Sequence, residues 1–214
     1  MDMPGDPSGD GLRLYEELAG WFHLLTAPEE YADEATVILG LLRDHVDGPL
    51  ETLLELGSGG GNTASHLRAH LRLTLTDLSP AMLDLSRTLN PGCEHLVADM
   101  RSARLGRTFD AVLIHDAIMY MTTRADLRAA LATAFVHLRP GGALVVAPDC
   151  VGEGADEVRM RYDRHVLGLF PRATWLDLLG EVGFERSAAV DGWQGDVFVG
   201  IRAAAPGRWY PGPG

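Results

Sequence analysis

Three acids stand where apolar runs of this chain end, and their neighbours define a chemistry. In LLELGSGGGNT (53–63), Glu55 comes two residues before Gly57, and four glycines fall within five positions, at 57, 59, 60 and 61. Glycine permits positive φ and lets backbone N–H groups approach a ligand closely. The spacing is G-x-G-x-G, with Asn62 where a dinucleotide fingerprint has its last glycine. A carboxylate beside phosphates would repel them, whereas beside an ammonium it attracts. The turn therefore suits a ligand with a cationic amino-acid end better than a pyrophosphate. Asp77 ends the next apolar run, twenty positions after Gly57, where a carboxylate can accept hydrogen bonds from both hydroxyls of a ribose. Asp99, followed by Met100 and Arg101, ends the third run. That acid can accept from the exocyclic amine of adenine, with Met100 packing on the ring.

The elements that must position these residues alternate. Strands are expected at 52–57, 71–77, 94–99, 109–116 and 142–149. Helical spacing of apolar residues fills 62–71, 80–89 and 125–138. Such alternation predicts a doubly wound α/β fold with a mostly parallel sheet, helices on both faces and ligands at the carboxyl ends of the strands. Upstream, residues 12–46 read as two helices, the second from about Asp33 to His45. Residues 162–170 could be an edge strand or a loop. Pro171 opens a helix that ends at Gly183, and 185–191 with 196–202 form a closing antiparallel hairpin.

Composition removes other classes. The chain has 214 residues and a formal charge of -12, so phosphate backbones are repelled and nucleic acid is not an expected partner. Every one of its 18 Lys+Arg residues is Arg. Without lysine there is no Schiff-base or P-loop chemistry. Cys93 and Cys150 show no metal or redox spacing, and a reducing, cytoplasmic setting without a membrane partner is expected. His66 and His70 are one helical turn apart but lack a third ligand, so no metal is expected. Ser58 is no hydrolase elbow, because Leu56 takes the first glycine position of that motif. Asp126 and Arg128 read as solvated surface.

The ordered set ELGSGGGN, LTDLSPAML, VADM, FDAVLIHDAI and LRPGGALVV, spanning roughly residues 50–148, resembles the successive motifs of class I S-adenosylmethionine-dependent methyltransferases. RHVLGLF resembles a strand of small-molecule N-methyltransferases, including those acting on amino sugars of antibiotics. The resemblance implies a Rossmann-like, doubly wound, seven-stranded sheet with a C-terminal antiparallel hairpin and an N-terminal helical lid. It implies a tail at 1–11, one domain at 12–202 and a loose tail at 203–214. Within the domain it implies a lid at 12–46, a cofactor core at 50–149, a short substrate-side connection at 150–171, and a last helix and hairpin at 172–202. The implied activity is methyl transfer from S-adenosyl-L-methionine to nitrogen or oxygen of a small molecule. Tyr15, Glu55, Gly57, Ser58, Gly59, Gly61, Asn62, Asp77, Leu78, Met82, Asp99, Met100, Arg101, His115 and Asp116 are the implied cofactor contacts. Tyr15, Trp21 and Tyr31 are aromatic residues of the lid, where such a ring could contact the positive sulfur by cation–π attraction. His115, Tyr120 and His165 are the candidate bases, although positioning alone can suffice. A monomer or homodimer is expected, because the short connection implies a substrate wall that is small, open or provided by another chain. The rival readings are an NAD(P)-dependent oxidoreductase on a similar sheet and a non-catalytic S-adenosylmethionine-binding protein.

Overall fold

The computed structural model describes residues 26–149, 157–161, 165–193 and 195–204. Tyr15, Trp21, Cys150, the tail at 1–11 and the last tail from residue 205 onward lie outside them. The main sheet has seven strands in the order β3-β2-β1-β4-β5-β9-β8. These are β1 (Thr52–Leu56), β2 (Arg72–Asp77), β3 (Glu94–Val97), β4 (Phe109–Ile114), β5 (Leu138–Val146), β8 (Arg186–Asp191) and β9 (Asp196–Ile201). β3 to β5 through β1 are parallel, and β9 runs antiparallel to both β5 and β8. The order reverses between β1 and β4, which opens a crevice at their carboxyl ends.

Both faces of the central strands are covered, which is why they read as continuous apolar runs. Leu54, Leu56, Val112, Ile114, Leu144 and Val146 pack toward α4 (Arg124–His137) and α5 (Arg172–Val182). Leu53, Leu75, Leu113 and Val145 pack toward α1 (Ala32–His45) and α2 (Asn62–Leu67). α1 buries Ala35, Ile38, Leu39 and Leu42, the spacing of one helical face. α3 (Pro80–Leu89) starts at Ser79, whose hydroxyl accepts from Met82 N–H. This serine cap leaves the carboxylate of Asp77 for other work.

Several boundaries differ from the sequence reading. α2 stops at Leu67, and β3 stops at Val97, so Asp99 sits on the loop beyond it. β5 begins at Leu138 because it pairs with Phe109 before a register shift. Of the stretch 162–170, the described residues His165–Leu169 belong neither to an edge of the main sheet nor to a plain loop. β7 (His165–Leu169) pairs antiparallel with β6 (Glu157–Arg161) as a separate two-stranded sheet. Gly168 lies flat against Met121, where a Cβ would come within 2.1 Å of the Met121 carbonyl. Asp126 is not idle surface. It exchanges hydrogen bonds with Thr123 at the start of α4 and accepts from Arg101.

The amino ends of β1, β4 and β5 are tied by Asp110. Its Oδ2 accepts from the N–H groups of Glu51 and Thr52 and from the Thr52 hydroxyl, and its Oδ1 from Arg139 Nε at 2.6 Å. Burial opposes the charge, but the Arg139 guanidinium and the Thr52 hydroxyl outweigh it and bring the carboxyl down to about 2. A depressed carboxylate stabilises the fold above its ordinary pKa, and that stability is lost as pH falls through about 2. Asp110→Asn is expected to cost about 1–3 kcal/mol in urea melts at pH 7, with the two proteins converging as pH nears 2.

Candidate functional site

The glycine turn is held by the tip of β2. Gly57 and Ser58 donate their N–H groups to Thr76 O, both at 2.8 Å, and Gly59 N–H donates to Asp77 Oδ2 at 2.8 Å. Asp77 Oδ1 accepts from Ser79 N–H. Burial raises the Asp77 carboxyl, and these N–H groups oppose the rise. One acid thus ties the turn to the tip of β2 while keeping lone pairs for further donors.

The glycines do not share one reason for being glycine. All of Gly57, Gly59 and Gly61 have positive φ, at 77°, 53° and 79°. A Cβ on Gly57 would lie 2.5 Å from Ala117 Cβ and 2.8 Å from Met100 Cε. A Cβ on Gly61 would meet Asn90 and Ser86, whereas one on Gly59 has only Met82 Cε at 3.6 Å. Packing against the protein therefore excludes side chains at 57 and 61, and Gly59 is the one that faces open space.

Glu55 is buried, and burial followed by the charge of Asp77 raises its carboxyl to about 8. Glu55 Oε2, Ser58 Oγ, Asn62 Oδ1 and Asn90 Oδ1 are buried with no hydrogen-bond partner among the described residues. Each is an oxygen that can accept, and unsatisfied buried acceptors cost about 1–3 kcal/mol apiece. A donor-rich cation brought to the turn matches the Glu55, Ser58 and Asn62 oxygens, so these three residues fit the amino-acid end of S-adenosylmethionine. Asn62 Nδ2 donates to Thr26 O, which fixes which way its amide lies.

On the far rim, Asp99 is gripped by Arg101, which donates to both its oxygens and also reaches Asp126. The Arg101 side chain holds the Asp99 carboxyl below the usual range. Met100 is only 8% exposed and packs in the core against Gly57, rather than standing open to cover a ring. Met82 is likewise buried. Leu78, at 54% exposure beside Asp77, and Val97, at 57% and paired with Asp77, are apolar side chains left uncovered at this rim.

At the tips of β4 and β5 the structure gathers residues that the sequence did not link. His115 Nε2 lies 3.1 Å from Asp116 Oδ1 and 3.4 Å from Glu34 Oε2 of α1, and Nδ1 lies 3.4 Å from Thr63 Oγ1. The rings of Tyr31 and Trp193 flank it, with centroids at 6.3 and 5.6 Å. Burial pushes the imidazole down to about 4, so it is neutral at pH 7. Burial, then the neighbouring Asp149, pushes the Asp116 carboxyl well above the usual carboxylate range, and the same two causes raise Glu34. Asp116, Asp149, Trp193 and Asp196 line a narrow crevice beside this group. Tyr120 sits part-exposed on the 3-10 turn Asp116–Tyr120. His165 opens β7, on the separate hairpin. Glu34, Asp149 and Trp193 escaped the sequence reading because each is an ordinary residue of a helix start, a strand end or a hairpin turn.

His66 Nε2 bonds Pro28 O, and no group of three or more metal-ligating side chains occurs among the described residues. Nor is any helix among them long and apolar enough to cross a membrane. A cavity of about 490 Å³ opens at the amino ends of β1 to β4, lined by Arg68, Arg72, Glu94 and Arg107. It lies at the opposite end of the strands from the glycine turn.

Residues 53–142 match the family described as methyltransferase domain. The chain is 35% identical over 122 residues to the dTDP-3-amino-3,4,6-trideoxy-alpha-D-glucopyranose N,N-dimethyltransferase of Streptomyces venezuelae, an alignment covering 56% of this chain and 51% of that protein. It is 33% identical over 122 residues to the dTDP-3-amino-3,6-dideoxy-alpha-D-glucopyranose N,N-dimethyltransferase of Streptomyces fradiae, covering 56% and 48%. The chain thus spans about half the length of the curated relatives it matches. The crystal structure of Streptomyces venezuelae DesVI superposes with a TM-score of 0.75 at 25% identity, over 87% of this chain and 98% of that one. CalS10 with bound S-adenosylmethionine, an amino pentose methyltransferase from Micromonospora echinaspora, shares the fold with a TM-score of 0.73 at 24% identity, over 95% and 99%. Residues 53–142 thus match a methyltransferase-domain family, and the seven-stranded sheet around them has the fold of these two solved methyltransferase relatives.

Proposed function

We propose that the protein moves a methyl group from S-adenosyl-L-methionine to a nitrogen of an amine-bearing small molecule, leaving S-adenosyl-L-homocysteine. The observation that carries this reading is the ring of buried, unpartnered acceptor oxygens around a glycine turn whose neighbouring acid, Asp77, keeps lone pairs free. The N,N-dimethyltransferase relatives support nitrogen over oxygen. When bound, the cofactor supplies a methyl group already activated by a positive sulfur.

The chain's own residues have three tasks. Glu55, Ser58 and Asn62 hold an ammonium, while Asp77 holds a hydroxyl pair and Leu78 covers the ring that Asp99 and Arg101 border. Alignment of the two reactants is the main gain, since held partners save up to ~7–11 kcal/mol in well-oriented systems. The third task is the acceptor's proton. Both His115 nitrogens already face protein oxygens, so His115 orients Asp116 rather than acting as the base. Asp116, Asp149 and Glu34 attract a cationic amine, and the Asp116–Asp149 pair takes its proton before transfer. Tyr120 borders the acceptor. His165 stands on the hairpin of the substrate side.

Titration calorimetry with S-adenosylhomocysteine and with NAD tests the cofactor, and a labelled-methyl screen over amines and phenols tests the reaction. NAD binding without S-adenosylhomocysteine binding would refute the reading, and cofactor binding with no labelled amine would refute the transfer. Asp77→Ala is expected to weaken S-adenosylhomocysteine binding by about 1–3 kcal/mol, roughly 5- to 150-fold. Wild-type affinity in the folded variant would show that the hydroxyl pair sits elsewhere.

A further inference from the structure

A glycine turn has no side chains with which to fix itself, so its backbone must be set from outside. Gly61 is the left-handed residue that opens α2, at φ 79° and ψ 27°. The space where its Cβ would be is filled by Asn90 Nδ2 and Ser86 Oγ, each 2.3 Å from that point. Both residues come from α3 and its C-terminal end, and both are fully buried. Asn90 Nδ2 donates to Gly61 O at 2.9 Å and lies 3.4 Å from Ser86 Oγ. Ser86 Oγ meets His95 Nε2 at 3.0 Å, and His95 Nδ1 meets Cys93 O at 3.0 Å.

The directions of these bonds follow from what each atom can do. A carbonyl only accepts, so His95 Nδ1 carries the ring proton. A neutral imidazole then leaves Nε2 bare, and the Ser86 hydroxyl must donate to it. The Ser86 oxygen is left to accept the second Asn90 N–H. The Asn90 amide therefore has one orientation, with both N–H groups committed. Burial lowers the His95 pKa, which agrees with the neutral ring that this chain of bonds needs.

We infer that Asn90 is a positioning residue for the cofactor turn, acting through the Gly61 carbonyl, and that Ser86 and His95 hold its amide in the productive orientation. The inference rests on the cofactor reading above. It goes further because Asn90 and Ser86 need touch no ligand: they set where the N–H groups and acceptor oxygens of 58–62 point. Asn90→Asp keeps the shape and replaces both donors with an oxygen that faces the Gly61 carbonyl. Ser86→Ala keeps the Asn90–Gly61 bond and removes the group that orients the amide.

The test is S-adenosylhomocysteine titration calorimetry on wild type, Asn90→Asp and Ser86→Ala, with thermal melts and amide hydrogen exchange on the free proteins. Asn90→Asp is expected to raise Kd by about tenfold or more at a temperature where it remains folded, and Ser86→Ala by roughly 2- to 5-fold. Exchange at residues 59–62 is expected to quicken in both, ahead of the sheet. A purely structural role would lower the melting temperature and leave the Kd of the folded protein unchanged. Wild-type Kd and wild-type exchange in folded variants overturn the inference while the cofactor reading stands. Failure of the wild type to bind S-adenosylhomocysteine overturns both. Should Asn90→Asp not fold, Ser86→Ala decides, and an unchanged Kd and exchange rate there overturn the inference.

Discussion

Replacing Glu55 by Gln is expected to make the protein more stable at pH 9 and to weaken S-adenosylhomocysteine binding by an order of magnitude or more. The two effects have one cause. The Glu55 carboxyl is buried, and burial followed by repulsion from Asp77 lifts it from 4.5 to about 8. Between those values the folded chain keeps a proton that the unfolded chain has lost. A raised carboxyl therefore adds stability that is whole below its ordinary pKa and is lost as pH climbs through about 8. Glutamine has no such loss. The gain in Glu55→Gln is expected to grow from near zero at pH 4 to on the order of 2–4 kcal/mol at pH 9. Urea melts of both proteins across that range check it, and parallel curves would show that Glu55 is not buried as a lone acid.

Binding should run the other way. To face an ammonium, Glu55 must give up its proton, so wild-type affinity should rise with pH between about 6 and 8, with up to about one proton released on binding. Calorimetry in buffers of different ionisation enthalpy reads that proton directly. A flat affinity over the same range would place the ammonium away from Glu55. Proteins commonly give up stability at sites that bind, and Glu55 is a residue where this chain does so.

Gly57→Ala is expected to damage fold and binding together, and Gly59→Ala binding far more than fold. At Gly57 the backbone is left-handed, which costs a residue with a Cβ about 1–2 kcal/mol, and the new methyl would overlap Ala117 and Met100. Overpacking of that kind costs about 1–3 kcal/mol more. A loss of about 2–5 kcal/mol should lower the melting temperature by roughly 4–20 °C in a chain of this size. Relief would push the 3-10 turn at 116–120 away from the glycine turn, separating the two halves of the site. At Gly59 only the left-handed cost applies, because Met82 Cε at 3.6 Å is ordinary contact. Its methyl would instead stand in the space that the ligand needs. Equal melting temperatures for the two variants would contradict this division.

Much of this architecture was legible along the chain. Short apolar runs bounded by glycine and acid marked β1 to β5; β1, β2, β4 and β5 are covered on both faces and so favour apolar side chains, whereas β3 lies at the sheet edge with Glu94 and Val97 exposed. Helical spacing marked α1 and α3 to within a residue, and Gly183 marked the end of α5, where its φ of 113° suits glycine. Glu55, the turn and Asp77 were visible because adjacent elements carry them. The separate β6–β7 sheet was not, since a two-stranded pair outside the main sheet has no pattern different from an edge strand or loop.

What the sequence determined by itself was local: the period of each element, the acids at the strand tips and the need for positive φ at the turn. Only the tertiary structure decided which glycine is crowded by protein and which is open, that Arg101 claims Asp99, and that Glu34, His115, Asp149 and Trp193 meet. Only it turned Asn90, an unremarked residue before a proline, into the brace of Gly61. The physical reason is reach. Propensity and periodicity act over a few residues, whereas burial, ion pairing and proton affinity depend on groups a hundred positions apart that the fold alone brings within hydrogen-bond distance.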